Sequence, residues 1–98
     1  MKVFLVRLDW GYNGDGDNTI AGVFSTIEKA KNVFMDIVRN EKENSFFDIY
    51  FDEHGKPYNN VEDNLDMYEE DIDNNVFQLC EKHTHNFISI WIDEREVD

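Results

Sequence analysis

The chain has 98 residues, of which 41% are hydrophobic and 14% aromatic, which is enough to form the core of one domain over residues 1–98. Its 22 acids outnumber its 9 bases, and the net charge of -13 opposes direct binding to the phosphates of a nucleic acid. The single cysteine excludes an internal disulfide. Because no apolar run reaches the roughly 18 residues of a membrane span, we expect a cytoplasmic protein with no membrane partner.

The first part of the chain predicts two strands followed by a helix. Apolar residues run through Lys2–Leu8 and again through Ile20–Phe24, which is typical of strands. Between them, Asp9–Asn18 contains three glycines and predicts a wide hairpin loop. Ser25 suits a helix N-cap, and apolar residues then recur at helical spacing up to about Asn40.

The segment Ile20–Ala30 has the sequence Ile-Ala-Gly-Val-Phe-Ser-Thr-Ile-Glu-Lys-Ala. It resembles the strand-to-helix junction of several small uncharacterised bacterial and phage α+β protein families. The resemblance implies a strand, a capping serine and the start of a helix. It implies no catalytic residue and no activity.

The second part of the chain predicts a strand, a helix and a hairpin. Phe46–Asp52 alternates between apolar and acidic residues, as a half-exposed strand does. Val76–Lys82 and Phe87–Asp93 predict a final hairpin, with three isoleucines on one face of its last strand. With the helix described next, we expect an α+β domain of order ββαβαββ, in which two helices pack on a mainly antiparallel sheet.

The middle of the chain concentrates the negative charge, because residues 57–81 contain eight acids and no base. Within this block, apolar residues spaced by four, three and four positions predict an amphipathic helix. These are Val61, Leu65, Tyr68 and Ile72. The rest of the helix surface would be acidic, and like charges three or four residues apart repel by a few tenths of a kcal/mol per pair. Such an uncompensated face indicates a basic partner, bound by Glu62, Asp63, Asp66, Glu69, Glu70 and Asp73.

Rows of carboxylates can imitate duplex DNA, which carries one charge per roughly 1.7 Å of its axis. In size and charge the chain resembles small acidic phage inhibitors of CRISPR and restriction enzymes. The resemblance implies a non-catalytic protein that binds a basic protein surface, such as the groove of a nucleic-acid-binding enzyme. The alternative is a solvated face that keeps the domain soluble and has no decoy role.

Two aromatic residues, Trp10 and Tyr12, lie beside the glycine-containing loop. They fit two hypotheses. As exposed residues they would anchor the partner, since Trp and Tyr dominate interface hot spots. Otherwise they would pack on the sheet, for example against Trp91.

The same loop supports an alternative function as a small calcium-binding module. Asn13, Asp15 and Asp17 supply oxygen ligands at alternate positions, but Asn18 and Phe24 occupy the places where an EF-hand needs Gly and Glu. A polar turn therefore explains the loop better, and we predict no metal or cofactor.

Cys80, His83 and His85 are three possible ligands for a zinc ion. Three ligands fall short of the four that structural zinc usually takes, so a hairpin turn explains this segment better. No nucleophile–base pattern is present in the sequence, so we predict that the protein is not an enzyme.

Overall fold

A computed structural model describes residues 1–43, 49–54, 57–59, 65–82 and 84–97. Within these ranges the chain forms seven strands and one helix. The strands are β1 (Lys2–Tyr12), β2 (Asp15–Phe24), β3 (Ile49–Phe51), β4 (Pro57–Asn59), β5 (Leu65–Asp71), β6 (Val76–Glu81) and β7 (Phe87–Glu96), and the helix is α1 (Ile27–Glu43).

Five of the described strands form an antiparallel sheet in the order β2-β1-β7-β6-β5, and β3 pairs with β4 in a separate sheet. The predicted α+β class and mainly antiparallel sheet are therefore confirmed. The predicted order ββαβαββ is wrong, because the main sheet follows ββαβββ and the described part of the chain has a single helix. Of the strand predicted over Phe46–Asp52, β3 covers the last part, and residues 46–48 lie outside the described ranges.

The core forms where α1 packs on one face of the sheet. Ala30, Phe34 and Val38 follow one another at four-residue spacing and are buried, as the apolar face of the helix predicts. Residue alternation along the strands places the sheet side chains of the core on this same face. The strand residues buried there are Val6, Phe77, Leu79, Ile88 and Ile90.

The final hairpin is confirmed as β6 and β7, and the first helix is confirmed with shifted ends. The helix begins after Thr26, whose hydroxyl oxygen accepts a hydrogen bond from the N–H of Lys29 at 3.3 Å. Thr26 is thus the N-cap, one residue later than the predicted Ser25. At its other end the helix continues past Asn40 to Glu43.

The wide loop predicted over Asp9–Asn18 is wrong, because β1 and β2 stay paired up to a two-residue turn. The turn residues Asn13 and Gly14 have φ values of 52° and 88°. Positive φ at both central positions is characteristic of a type I′ turn, whose twist matches that of the strands it joins. Asn-Gly is a strong sequence signal for this turn, and the three-glycine composition of the segment obscured it.

The second helix predicted in the acidic block is also wrong. Residues 65–71 form β5 and residues 72–75 form a turn, while residues 61–64 lie outside the described ranges. The helical spacing was ambiguous, because Tyr68 and Ile72 are four positions apart, and residues an even number of positions apart also share one side of an alternating chain. Both pack against the core, and pairing of β5 with β6 satisfies the backbone of this segment.

Candidate functional site

The acids of β5 point alternately to the two faces of the sheet instead of sharing one helix face. Glu69 pairs with Gln78 on the face away from α1 and is exposed, whereas Glu70 pairs with Phe77 of the core. Asp66 is exposed near the start of the strand, where the register with β6 shifts. The single continuous acidic face that the sequence predicted is therefore absent from the described part of the block.

Glu70 is the acid of this block that forms an ion pair with the helix. Its Oε1 lies 2.6 Å from Nζ of Lys42, and its other oxygen accepts the hydroxyl hydrogen bond of Tyr68. Burial, and after it this hydrogen bond, raises the pKa of Tyr68 above its ordinary value. The sequence pattern suggested that no base relieves the block, but a lysine from a distant element neutralises Glu70.

The remaining acids of the predicted face have different positions. Asp73 is exposed in the turn after β5, and Glu62 and Asp63 lie outside the described residues. Asp71 is engaged locally, since hydrogen bonds from the side chain and backbone of Asn74 lower its pKa. The exposed carboxylates left on this edge of the described sheet are those of Asp66, Glu69 and Asp73.

The basic side chains are largely occupied by acids elsewhere on the surface. At least five of the nine Lys and Arg residues form ion pairs with carboxylates. These five are Lys2, Arg7, Arg39, Lys42 and Arg95. Such pairing leaves little positive charge to offset the excess acids, so the surface potential stays negative.

A second feature lies at the far end of the β1–β2 hairpin, where a turn between β6 and β7 packs against it. Asn86 is 5% exposed, and its side-chain oxygen accepts a hydrogen bond from the N–H of Asn13 at 2.8 Å. The Asn86 carbonyl accepts from the N–H of Glu81 at 2.7 Å, and the Thr84 hydroxyl donates to the Glu81 carboxylate at 2.9 Å. The first bond joins the two turns, and the other two hold the β6–β7 turn together.

Glycine at position 11 makes this contact possible. Gly11 pairs with Phe87, and a Cβ at Gly11 would lie 2.6 Å from Cε1 of that ring. The ring therefore occupies the space that any other residue would fill. Gly11 is one of the three glycines from which the sequence predicted a wide loop, but it allows a close contact between paired strands.

The two turns line a pocket that is open to solvent and has a cavity volume of about 510 Å³. That volume lies within the roughly 300–1,000 Å³ of ligand pockets. Part of the wall is contributed by residues 84–86, and none of the described residues that line it is Lys or Arg. The acidic residues that line the pocket are Asp9, Asp15 and Asp17, and the aromatic residues are Trp10, Tyr12 and Phe87.

The two hairpin aromatics differ in exposure. Tyr12 is 40% exposed, whereas Trp10 is half-buried and packs against the core while it also lines the pocket. Trp10 does not pack on Trp91, because Trp91 pairs with Arg7 and so lies on the opposite face of the sheet. The sequence pointed to these aromatics but not to residues 84–87, which pairing with β1 brings beside them.

The two candidate metal sites are the β1–β2 turn and the segment around Cys80 and His85. Among the described residues, no group of three or more His, Cys, Asp or Glu is arranged to hold a metal ion. His83 of the second candidate site lies outside the described residues. Burial, followed by the charges of Asp66 and Glu81, raises the pKa of the Cys80 thiol, which disfavours a reactive thiolate.

One more carboxylate has an unusual environment. Glu41 on α1 is 4% exposed, and its Oε2 has no hydrogen-bond partner among the described residues. Burial raises the pKa of Glu41 to about 7.

The described helix, α1, is not long and apolar enough to cross a membrane. No protein-family model, curated protein or solved structure matches the chain.

Proposed function

We propose that this chain is a non-catalytic binding protein whose acidic surface docks on a basic macromolecule. The main support for the proposal is that three acids on the β5 edge are exposed and form no described ion pair. Asp66, Glu69 and Asp73 are exposed, and no described ion pair involves them, whereas Glu70 is neutralised by Lys42. Exposed carboxylates of one sign at one edge would steer and orient a positively charged partner.

The narrower form of the proposal is a nucleic-acid mimic that occupies the groove of a nucleic-acid-binding enzyme, as a phage inhibitor of a CRISPR or restriction nuclease would. Its support is the net charge of -13 on 98 residues, together with the ion pairing that occupies at least five of the nine bases. Direct binding to nucleic acid is not part of the proposal, because the phosphates would be repelled.

The test compares two triple variants that remove the same charge from different surfaces. The first is Asp66→Asn, Glu69→Gln and Asp73→Asn on the β5 edge. The control is Glu28→Gln, Asp36→Asn and Glu43→Gln on α1, where all three acids are exposed. The probe is a fluorescent arginine- and lysine-rich peptide, titrated at rising salt.

We expect the β5 variant to weaken peptide binding about tenfold, since three exposed charge pairs contribute roughly 0.5 kcal/mol each. The α1 control should lose less than about threefold, because only long-range attraction is reduced there. Binding of the wild-type protein should weaken steeply with salt. Equal losses in the two variants, or binding insensitive to salt, would show that the β5 edge is not the binding surface.

A further inference from the structure

We infer that the pocket between the β1–β2 turn and residues 84–87 receives the guanidinium group of an arginine side chain from the basic partner. This inference rests on the proposed function, because it names the group through which the partner is recognised. The two together divide the interface into a charged edge on β5 and an anchoring pocket at the hairpin tip.

The first support is the strand register, which sets each aromatic residue opposite a carboxylate. Trp10 pairs with Asp17 and Tyr12 with Asp15. Directly opposed residues of antiparallel strands have Cβ atoms about 4.5–5.5 Å apart, and successive pairs on one face are about 7 Å apart. The hairpin therefore presents two aromatic–carboxylate pairs side by side along the wall of the pocket.

This combination suits a cation with a planar apolar face. An arginine guanidinium stacks on aromatic rings and donates fork-like hydrogen bonds to carboxylates, whereas a lysine ammonium is a strongly hydrated point charge. An anion is disfavoured, because three acidic residues and no described Lys or Arg line the pocket. The cavity volume of about 510 Å³ is within the size range of pockets that hold small ligands.

The second support is the rigidity of the wall. Asn13 and Gly14 adopt the two positive φ values that close the turn, and the buried Asn86 side chain accepts from the Asn13 N–H at 2.8 Å. The Phe87 ring is held over Gly11. A pocket formed before binding does not spend binding energy on ordering loops, so a single side chain can anchor there.

The experiment uses three short peptides that differ at one position, which is arginine, lysine or citrulline. Citrulline has nearly the shape of arginine and lacks the charge. Two-dimensional NMR of the full chain reports where each peptide binds and how tightly. We expect shifts in residues 10–17 and 84–87, with the arginine peptide bound about tenfold more tightly than the citrulline peptide.

Variants then test the pocket residues one at a time. Asp15→Asn and Asp17→Asn should each weaken the arginine peptide severalfold, and Tyr12→Leu should reduce its preference over the lysine peptide. The matched control is Glu43→Gln, an exposed acid on α1, which should leave binding unchanged. Equal affinity for arginine and citrulline, or shifts confined to other surfaces, would overturn the inference.

The outcomes separate the pocket from the proposed function. If the β5 variant binds the longer basic peptide more weakly and the pocket variants bind it as tightly as the wild-type protein does, the pocket inference is wrong and the proposed function stands. If the arginine peptide binds in the pocket but the β5 edge contributes nothing, the pocket stands and the proposed docking surface is wrong. Absence of binding to any basic peptide would overturn both.

Discussion

Nζ of Lys42 on α1 lies 2.6 Å from Oε1 of Glu70 on β5, and this ion pair connects the helix to the edge strand of the described sheet. The two side chains are 28% and 20% exposed, so the pair is partly shielded from water. Because the Tyr68 hydroxyl also donates to Glu70, the carboxylate has a charged and a neutral partner. One acid of the acidic block thus has a structural role.

Replacement of Lys42 by Met should destabilise the fold, because the partly buried Glu70 carboxylate would lose its counter-ion. A hydrogen bond to a charged group contributes about 1.5–3 kcal/mol, and partial exposure places the expected loss near the lower end. Urea unfolding measures it. The control Lys29→Met removes an exposed lysine of the same helix and should change stability by less than about 0.5 kcal/mol. Equal effects of the two substitutions would remove the special role of the ion pair.

Glu41 should make the protein less stable as pH rises. Burial raises its pKa in the folded chain from 4.5 to about 7, so the folded state holds the proton more tightly than the unfolded state does. The contribution to stability is therefore full below about pH 4.5 and falls as pH rises toward about 7. Glu41→Gln should stabilise the protein at about pH 8 by roughly 1–3 kcal/mol and have little effect near pH 4.5. Unfolding curves at both pH values test this, and an unchanged pH profile in the variant would contradict it.

Gly11→Ala should destabilise the hairpin, because the new Cβ would lie 2.6 Å from Cε1 of Phe87. Overpacking of this kind costs typically 1–3 kcal/mol, measured by thermal or urea unfolding. Adding Phe87→Leu removes the ring that the methyl group meets. The double variant should therefore lose less than the sum of the two single variants. Strict additivity would show that the close contact is not the cause.

Asn86→Ala should loosen the hairpin tip, because the N–H of Asn13 loses an acceptor that is 2.8 Å away and buried. Asn13 itself is exposed, so the expected loss is the net value of one hydrogen bond, about 0.5–1.5 kcal/mol. Hydrogen exchange should accelerate at the Asn13 amide more than at amides in the middle of β7. Asn18→Ala, which removes an exposed acceptor 3.4 Å from Arg7, is the matched control and should have little effect. Unchanged exchange at Asn13 would show that Asn86 does not hold the turn.

The sequence by itself determined the elements whose pattern has one interpretation. Ile88, Ile90 and Ile92 occupy every second position in a short run, which fits a strand and no helix, and the structure buries Ile88 and Ile90 in the core. Ala30, Phe34 and Val38 recur at four-residue spacing over about two helical turns, so the sequence also predicted the first helix. Local periodicity was sufficient in both places because each segment has one face that must be buried.

Tertiary structure decided what local pattern left ambiguous. Tyr68 and Ile72 fit a helix face and a strand face equally, and the choice follows from pairing with β6 and from Lys42, which lies 28 residues from Glu70 in the chain. The pocket depends in the same way on pairing of Gly11 with Phe87 at the two ends of the chain. No local spacing encodes either contact, because hydrogen bonding between distant strands, and not the periodicity of one segment, brings these side chains together.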